Sequence, residues 1–267
     1  MIKSAVTISQ VPQLRGGPWI LWDDLKTSCE KAAKLGFDGV ELFTSEANAD
    51  GLDEILSNTG LELAAVGTGA GKVIHGLTLI DTHSSKRKDA VNFVKSMIDF
   101  GANHGAPAVI GSMQGIHSGD KEASIELLKE SLEELGDYAH SKNVSLLYEP
   151  LNRYETNLFN RLDESAEFLK SLKTEGVMIL ADLFHMNIEE VDMAQAIRDV
   201  SELIGHVHFA DTNRHAIGLG HLDVLPIAKA LKDIPHEFYV SAEAFYYPDP
   251  DFAAEQTIKS FNHYLLD

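Results

Sequence analysis

The sequence predicts an α/β protein, a closed (β/α)8 TIM barrel built on parallel strands. Short β-branched or apolar runs alternate with longer stretches of helical period, and eight such runs fit into 267 residues. Polar residues also stand at the ends of the later runs, where a core pattern calls for Val or Leu. Strict β/α alternation implies a parallel sheet with right-handed crossovers. Eight units in this length suit a barrel. The competing arrangement is an open doubly wound sheet, which brings a Gly-rich turn after its first strand. The segment after the first run, "SQVPQLRGGPWI" (9–20), contains no G-x-G-x-x-G.

The elements follow in order. "SAVTIS" (4–9) is the first strand. "DDLKTSCEKAAKL" (23–35) is a helix with acids in its first turn and Gly36 just past its end. "FDGVELF" (37–43) is the second strand, and the next helix starts near Asp50 and closes at Gly60. "LELAAVG" (61–67) is the third strand. "VGTGAGKVIHG" (66–76) imitates a phosphate cradle but fails the P-loop spacing, and Val73 follows Lys72 where Ser or Thr is required. It reads as a flexible βα loop at the active-site rim. The helix over 84–105 sets Val91, Val94, Ile98 and Ala102 on one face, and "PAVIGS" (107–112) is the fourth strand. Over 120–143, Ile125, Leu128, Leu132 and Leu135 form a helical stripe. The remaining strands are 144–150, 177–182, 204–211 and 237–245, with helices over 162–176, 191–200, 223–234 and 251–266. Nothing linker-like interrupts them, so one domain over 1–267 is expected.

Composition narrows the function classes. The net charge of −19 repels phosphate backbones and anionic headgroups, so neither nucleic acid nor a membrane is an expected partner. The N-terminus "MIKSAVTIS" lacks a signal-peptide pattern, and no apolar run reaches the ~18 residues of a membrane span. Cys29 is the single cysteine, so no intramolecular disulfide can form, which fits the reducing cytoplasm. It is expected on the inner face of its helix. "PWILWDD" (18–24) fits a pocket wall or an interface equally well.

Barrel chemistry sits where strands end and βα loops begin. Strands 1 to 4 end in small or neutral residues. Strands 5 to 8 carry Glu149, Asp182, His208 and Glu243 instead, separated by 33, 26 and 35 residues, about one βα unit each. These four side chains should converge from neighbouring strands. Three carboxylates and an imidazole at close range conflict unless one is neutralised or a cation joins them. Three oxygen donors and one nitrogen suit Mn²⁺, Mg²⁺ or Co²⁺. His206, two residues before His208, is expected to be a hydrogen-bonded core residue. His185, three after Asp182, either leans over the site or belongs to an ordinary loop. Arg214 either anchors substrate hydroxyls or is a surface arginine.

Four segments then carry a resemblance over most of the chain: "EPLNRYETNLFN" (149–160), "ILADLFHMNIEE" (179–190), "HVHFADTNRHAIGLGHLD" (206–223) and the strand of Glu243. Together they resemble the ketose 3-epimerases, the D-tagatose 3-epimerase and L-ribulose 3-epimerase group of the xylose isomerase-like barrels. The resemblance implies a divalent metal, usually Mn²⁺, on Glu149, Asp182, His208 and Glu243. It implies that Glu149 and Glu243 double as the acid/base pair, inverting C3 of a free pentulose or hexulose through a cis-enediolate. It further implies that Glu155, His185 and Arg214 contact the sugar, and that copies associate as dimers or tetramers. His215 stands where the family often has an aromatic residue, and Ile217-Gly218 where it has a Pro-Gly turn. Both departures lie in loops that select the substrate. The same chemistry one carbon over would make an aldose–ketose isomerase, another keto-sugar epimerase or a dehydratase. A silent sugar-binding module would have no need of both glutamates. A DNA-repair barrel would need more metal ligands and a basic groove.

Overall fold

The structure is a computed structural model and describes residues 1–266. Along the chain come β1 (Ile2–Ser9), α1 (Leu25–Leu35), β2 (Gly39–Phe43), α2 (Leu52–Thr59), β3 (Glu62–Gly67), α3 (Ala70–Val73), α4 (Ser84–Ala102), β4 (Ala108–Ile110) and α5 (Lys121–Ser141). They are followed by β5 (Leu146–Tyr148), α6 (Leu162–Lys170), β6 (Val177–Asp182), α7 (Leu183–Glu189), α8 (Met193–Asp199), β7 (Ile204–His208), α9 (Val224–Lys232), β8 (Phe238–Ala242) and α10 (Pro250–Phe261). The eight strands close into one parallel barrel in sequence order. β1 pairs both β2 and β8, which seals it. The eight expected strands are therefore all present, several of them shorter than the apolar runs that announced them.

Helix ends follow local chemistry. Asp24 caps α1 by accepting the Thr27 N–H at 3.0 Å, and Gly36 ends it in the left-handed region at φ 90°. Asp120, Asp192 and Asp249 cap α5, α8 and α10 in the same way. Two expectations are corrected here. The segment after β3 is not irregular throughout, because residues 70–73 wind into the single turn of α3. His185 stands on α7, a helix that starts directly after β6 because the Asp182 carboxylate accepts the Phe184 N–H at 2.7 Å. Among the described residues, no helix is long and apolar enough to cross a membrane.

The main core lies between the strands and the surrounding helices. Cys29 is fully buried in it, and burial pushes its thiol up to about 12, so it is an inert packing residue. Inside the barrel the wall is divided. Ala65, Val109, Leu147 and Leu180 of β3 to β6 form an apolar cluster. Thr7, Glu41, His206 and His208 of β1, β2 and β7 are buried and polar.

Helix α5 approaches the start of β6 closely. A Cβ on Gly176 would lie 2.0 Å from the Gly136 carbonyl oxygen. Gly176→Ala is therefore expected to cost ~1–3 kcal/mol of stability, read as a lower thermal midpoint. Gly119→Ala, whose Cβ meets nothing within 4 Å, is the control and should leave the midpoint in place.

Candidate active site

Four sequence-predicted residues meet at the C-terminal mouth of the barrel. One ligand atom each from Glu149, Asp182, His208 and Glu243 lies within 4.8 Å of the other three. The His208 Nδ1 is 3.3 Å from Glu149, 3.5 Å from Asp182 and 3.8 Å from Glu243. Glu149 and Glu243 each stand one residue past the end of their strand, so the loop backbone turns these carboxylates over the barrel axis.

Glu149 and Asp182 are held from behind. The Glu149 N–H donates to the Ile110 carbonyl at 3.0 Å, and its carbonyl accepts from Gln114 Nε2 at 2.9 Å. Tyr148 fixes Gln114 in turn. Asp182 spends one oxygen on the cap of α7 and leaves the other facing the cluster. Glu149 Oε1, Asp182 Oδ2, His185 Nε2 and His208 Nδ1 are all buried without a hydrogen-bond partner. Such a convergence of unsatisfied donors and acceptors is costly. Ligands around an octahedral ion with ~2.1 Å bonds stand about 3 Å apart in cis and about 4.2 Å in trans. The observed spacings fit that shell, and three carboxylates with one imidazole are a suitable donor set for a divalent cation.

The electrostatics have the same centre. Burial pushes Glu149 up to about 8 against the pull of His208, and Glu243 and Asp182 add to the rise. Burial likewise raises Glu243, although Arg214 and His208 oppose it. Burial works against Asp182 as well, but His185, His208 and Arg214 outweigh it and hold the carboxyl below its usual range. Burial would lower His208, but Glu41 and Glu243 lead the groups that hold it well above an ordinary imidazole. Burial lowers His185. Its Nδ1 accepts from Asn152 Nδ2 at 2.7 Å, so its proton sits on Nε2, inside the site.

Arg214 is mostly covered, its side chain 12% exposed, and is not a surface residue. It donates to Glu243 at 2.5 Å, lies 3.5 Å from Glu155 and stacks 4.9 Å above the Phe184 ring. Its backbone is left-handed at φ 58°, a costly conformation for a non-glycine residue. Asp211 maintains the loop that imposes it, accepting from the N–H groups of Thr212, Gly218 and Leu222. Glu155 is half-exposed and accepts from Asn152 Nδ2 at 3.1 Å.

Glu149, Glu155, His208, Arg214 and Glu243 line a cavity of about 200 Å³. Trp19 and Phe43 form one wall, stacked with ring centroids 3.9 Å apart, so the "PWILWDD" segment lines a pocket. Gly67 and Gly69 border the cavity, which places the glycine-rich segment at the rim.

Sequence reasoning missed Glu41. It is buried on β2 and accepts from His206 Nε2 at 3.0 Å and His208 Nε2 at 3.1 Å. The available signal was a carboxylate inside the apolar run "GVELF". Gly111 was missed as well. A Cβ there would lie 2.4 Å from Glu149 Oε2. Gly111→Ala should displace that carboxylate and lower turnover by ~10²-fold, since misplacement by about 1 Å costs that much. A thermal midpoint close to the parent's alongside the lost rate would assign the effect to the site.

A closed (β/α)8 barrel with buried acid and imidazole groups converging at its C-terminal mouth defines an enzyme of the barrel class. The family model described as "Xylose isomerase-like TIM barrel" matches residues 29–264. The D-psicose 3-epimerase of Enterocloster bolteae is 31% identical over 236 residues, covering 83% of this chain and 77% of that protein. The crystal structure of D-psicose 3-epimerase with D-tagatose from Clostridium cellulolyticum H10 superposes with a TM-score of 0.82 at 25% identity, over 98% of this chain and 99% of that one. A shorter match, 35% identical over 118 residues, links the chain to the 3-dehydro-D-guloside 4-epimerase of Escherichia coli, covering 44% of this chain and 45% of that protein. The chain belongs to the xylose isomerase-like TIM barrel family and, within it, to the ketose 3-epimerase group, an isomerase class.

Proposed function

We propose that this single-domain, cytoplasmic barrel inverts C3 of a free ketose, with a divalent cation held by Glu149, Asp182, His208 and Glu243. The observation that carries the reading is the convergence of those four ligand atoms within 4.8 Å. Mn²⁺ is the cation of choice, with Mg²⁺ and Co²⁺ as alternatives of the same donor preference. When bound, the cation supplies Lewis-acid polarisation of the keto group, which makes the neighbouring C–H acidic.

The chain's own residues do the rest. Glu149 and Glu243 enter from β5 and β8, and the sugar lies between them. One carboxylate takes the C3 proton, leaving a cis-enediolate. The other returns a proton to the opposite face, and the stereocentre inverts. His185 presents Nε2–H to a substrate oxygen. Arg214 and Glu155 hold hydroxyls, and Trp19 with Phe43 covers an apolar face of the sugar. The cavity of about 200 Å³ is smaller than the ~300–1,000 Å³ of drug-sized pockets, which suits a pentulose or hexulose. Glu41, Glu149, Glu155 and Glu243 all line it, and Arg214 is already paired, so a phosphorylated sugar is disfavoured. The proposal includes a homodimer or homotetramer, read by sedimentation.

The test is a Mn²⁺-supplemented screen of free pentuloses and hexuloses, including L-ribulose, D-tagatose and D-fructose, followed by NMR in D₂O. Deuterium is expected at C3. The 118-residue match to a 4-epimerase favours a second reading, inversion at C4 of a keto-sugar. That reading needs a carbonyl at C3, so a 3-keto sugar is added to the screen: label at its C4 would select it, and label at C1 of a ketose would indicate an aldose–ketose isomerase.

A further inference from the structure

Two groups of side chains in the barrel have metal-binding composition. One is the cluster at the mouth. The other, deeper, is Glu41 with His206 and His208. They differ in one respect. The mouth cluster holds buried polar atoms without partners, whereas the Glu41 carboxylate is satisfied on both oxygens. Oε2 accepts from His206 and Oε1 from His208, at ordinary hydrogen-bond lengths. An ion placed there would have to expel both Nε2 protons and share His208 with the mouth. The deeper group is therefore a hydrogen-bonded support, not a second metal site.

Its geometry is specific. Glu41 belongs to β2, whose neighbours are β1 and β3, while both histidines belong to β7, which pairs β6 and β8. The carboxylate thus reaches across the barrel interior to a strand it does not pair with. His208 turns one nitrogen to Glu41 and the other, Nδ1, to the cluster. An imidazole that donates Nε2–H to a carboxylate keeps the lone pair of a neutral ring on Nδ1. Carboxylates behind metal-bound histidines fix ring orientation and raise ligand basicity in this way.

We propose that Glu41 is a positioning residue: it holds His208 as the Nε2–H tautomer, aims Nδ1 at the cation, and is itself steadied across the barrel by His206. This rests on the metal reading above.

The test uses the full-length protein stripped of metal. Free Mn²⁺ is followed by electron paramagnetic resonance during titration of the parent and of Glu41→Gln. Glutamine keeps the shape but carries no charge, and it offers one acceptor where two N–H groups need one each. Mn²⁺ binding is expected to weaken ~10–100-fold in the folded variant. In the parent loaded with diamagnetic Mg²⁺, ¹⁵N spectra should find His208 protonated at Nε2 only, with a low-field Nε2–H signal that moves in Glu41→Gln. A parent that binds no Mn²⁺ ends the metal reading itself. A parent that binds, with a variant binding within threefold and an unmoved Nε2–H signal, overturns the role of Glu41 alone. Should Glu41→Gln fail to fold, the parent spectrum decides: Nε2–H supports the proposal, and a proton on Nδ1 sinks it.

Discussion

Glu149→Gln and Glu243→Gln should each reduce turnover by ~10³-fold or more and stop exchange with D₂O of the C3 proton on the epimer that faces the missing carboxylate. General acid–base catalysis accounts for ~10²–10⁴-fold, and each glutamine removes one member of the pair. The amide keeps the side-chain volume and an oxygen that can still face a cation, so the two losses can be separated. Bound Mn²⁺ should fall much less than activity in Glu243→Gln, whose carboxylate is already shared with Arg214 at 2.5 Å. Glu149→Gln should change the charge of the metal-free site little at neutral pH, because burial pushes that carboxyl up to about 8 and keeps it protonated. The readouts are NMR exchange in D₂O, product ratio and metal content. Full exchange in both variants would remove these glutamates from the chemistry.

Chelation should abolish turnover, and Mn²⁺ should restore it. The same ion should stabilise the fold, by about 2.7 kcal/mol at a free concentration one hundred times its dissociation constant. The pH dependence has a defined sign. In the metal-free protein, Glu149 and His208 both titrate higher than in the unfolded chain. Through these two groups the native state binds more protons than the unfolded state, while His185 and His206, both lowered by burial, oppose them within the ordinary imidazole range. Above that range the opposition ends, and metal-free stability falls as pH rises towards about 8. The cation replaces those protons, so its affinity rises over the same interval, about tenfold per pH unit for each proton expelled. Thermal midpoints with EDTA and with Mn²⁺ at pH 6, 7 and 8 should diverge. Midpoints that run parallel would contradict metal binding at Glu149 and His208.

Much of this was readable along the chain. Asp182 closes the run "VMILAD", which coincides with β6, and separations of about one βα unit place Glu149, His208 and Glu243 at the ends of β5, β7 and β8. Barrel topology turns such spacing into proximity, since parallel strands in sequence order put every strand end on the same rim. Strand limits were less legible. β4 and β5 are three residues each, although Pro107 and Glu149 just beyond their ends still make backbone hydrogen bonds, to Val66 and Ile110. His185 was legible by its spacing but not by its element, since the turn of α7 depends on a capping bond.

The sequence alone determined the β/α alternation, the closed barrel and the identity of the four converging residues, because periodicity and strand-end polarity are local properties. Tertiary structure alone decided that Glu41 meets His206 and His208, residues 165 and 167 positions away, across strands that do not pair. It also decided that Arg214 pairs with Glu243 from a left-handed backbone, and that Trp19 stacks on Phe43 in the pocket wall. The reason is the barrel interior. Side chains from opposite strands meet there through closure and register, and the linear order of residues carries no record of which ones will face each other.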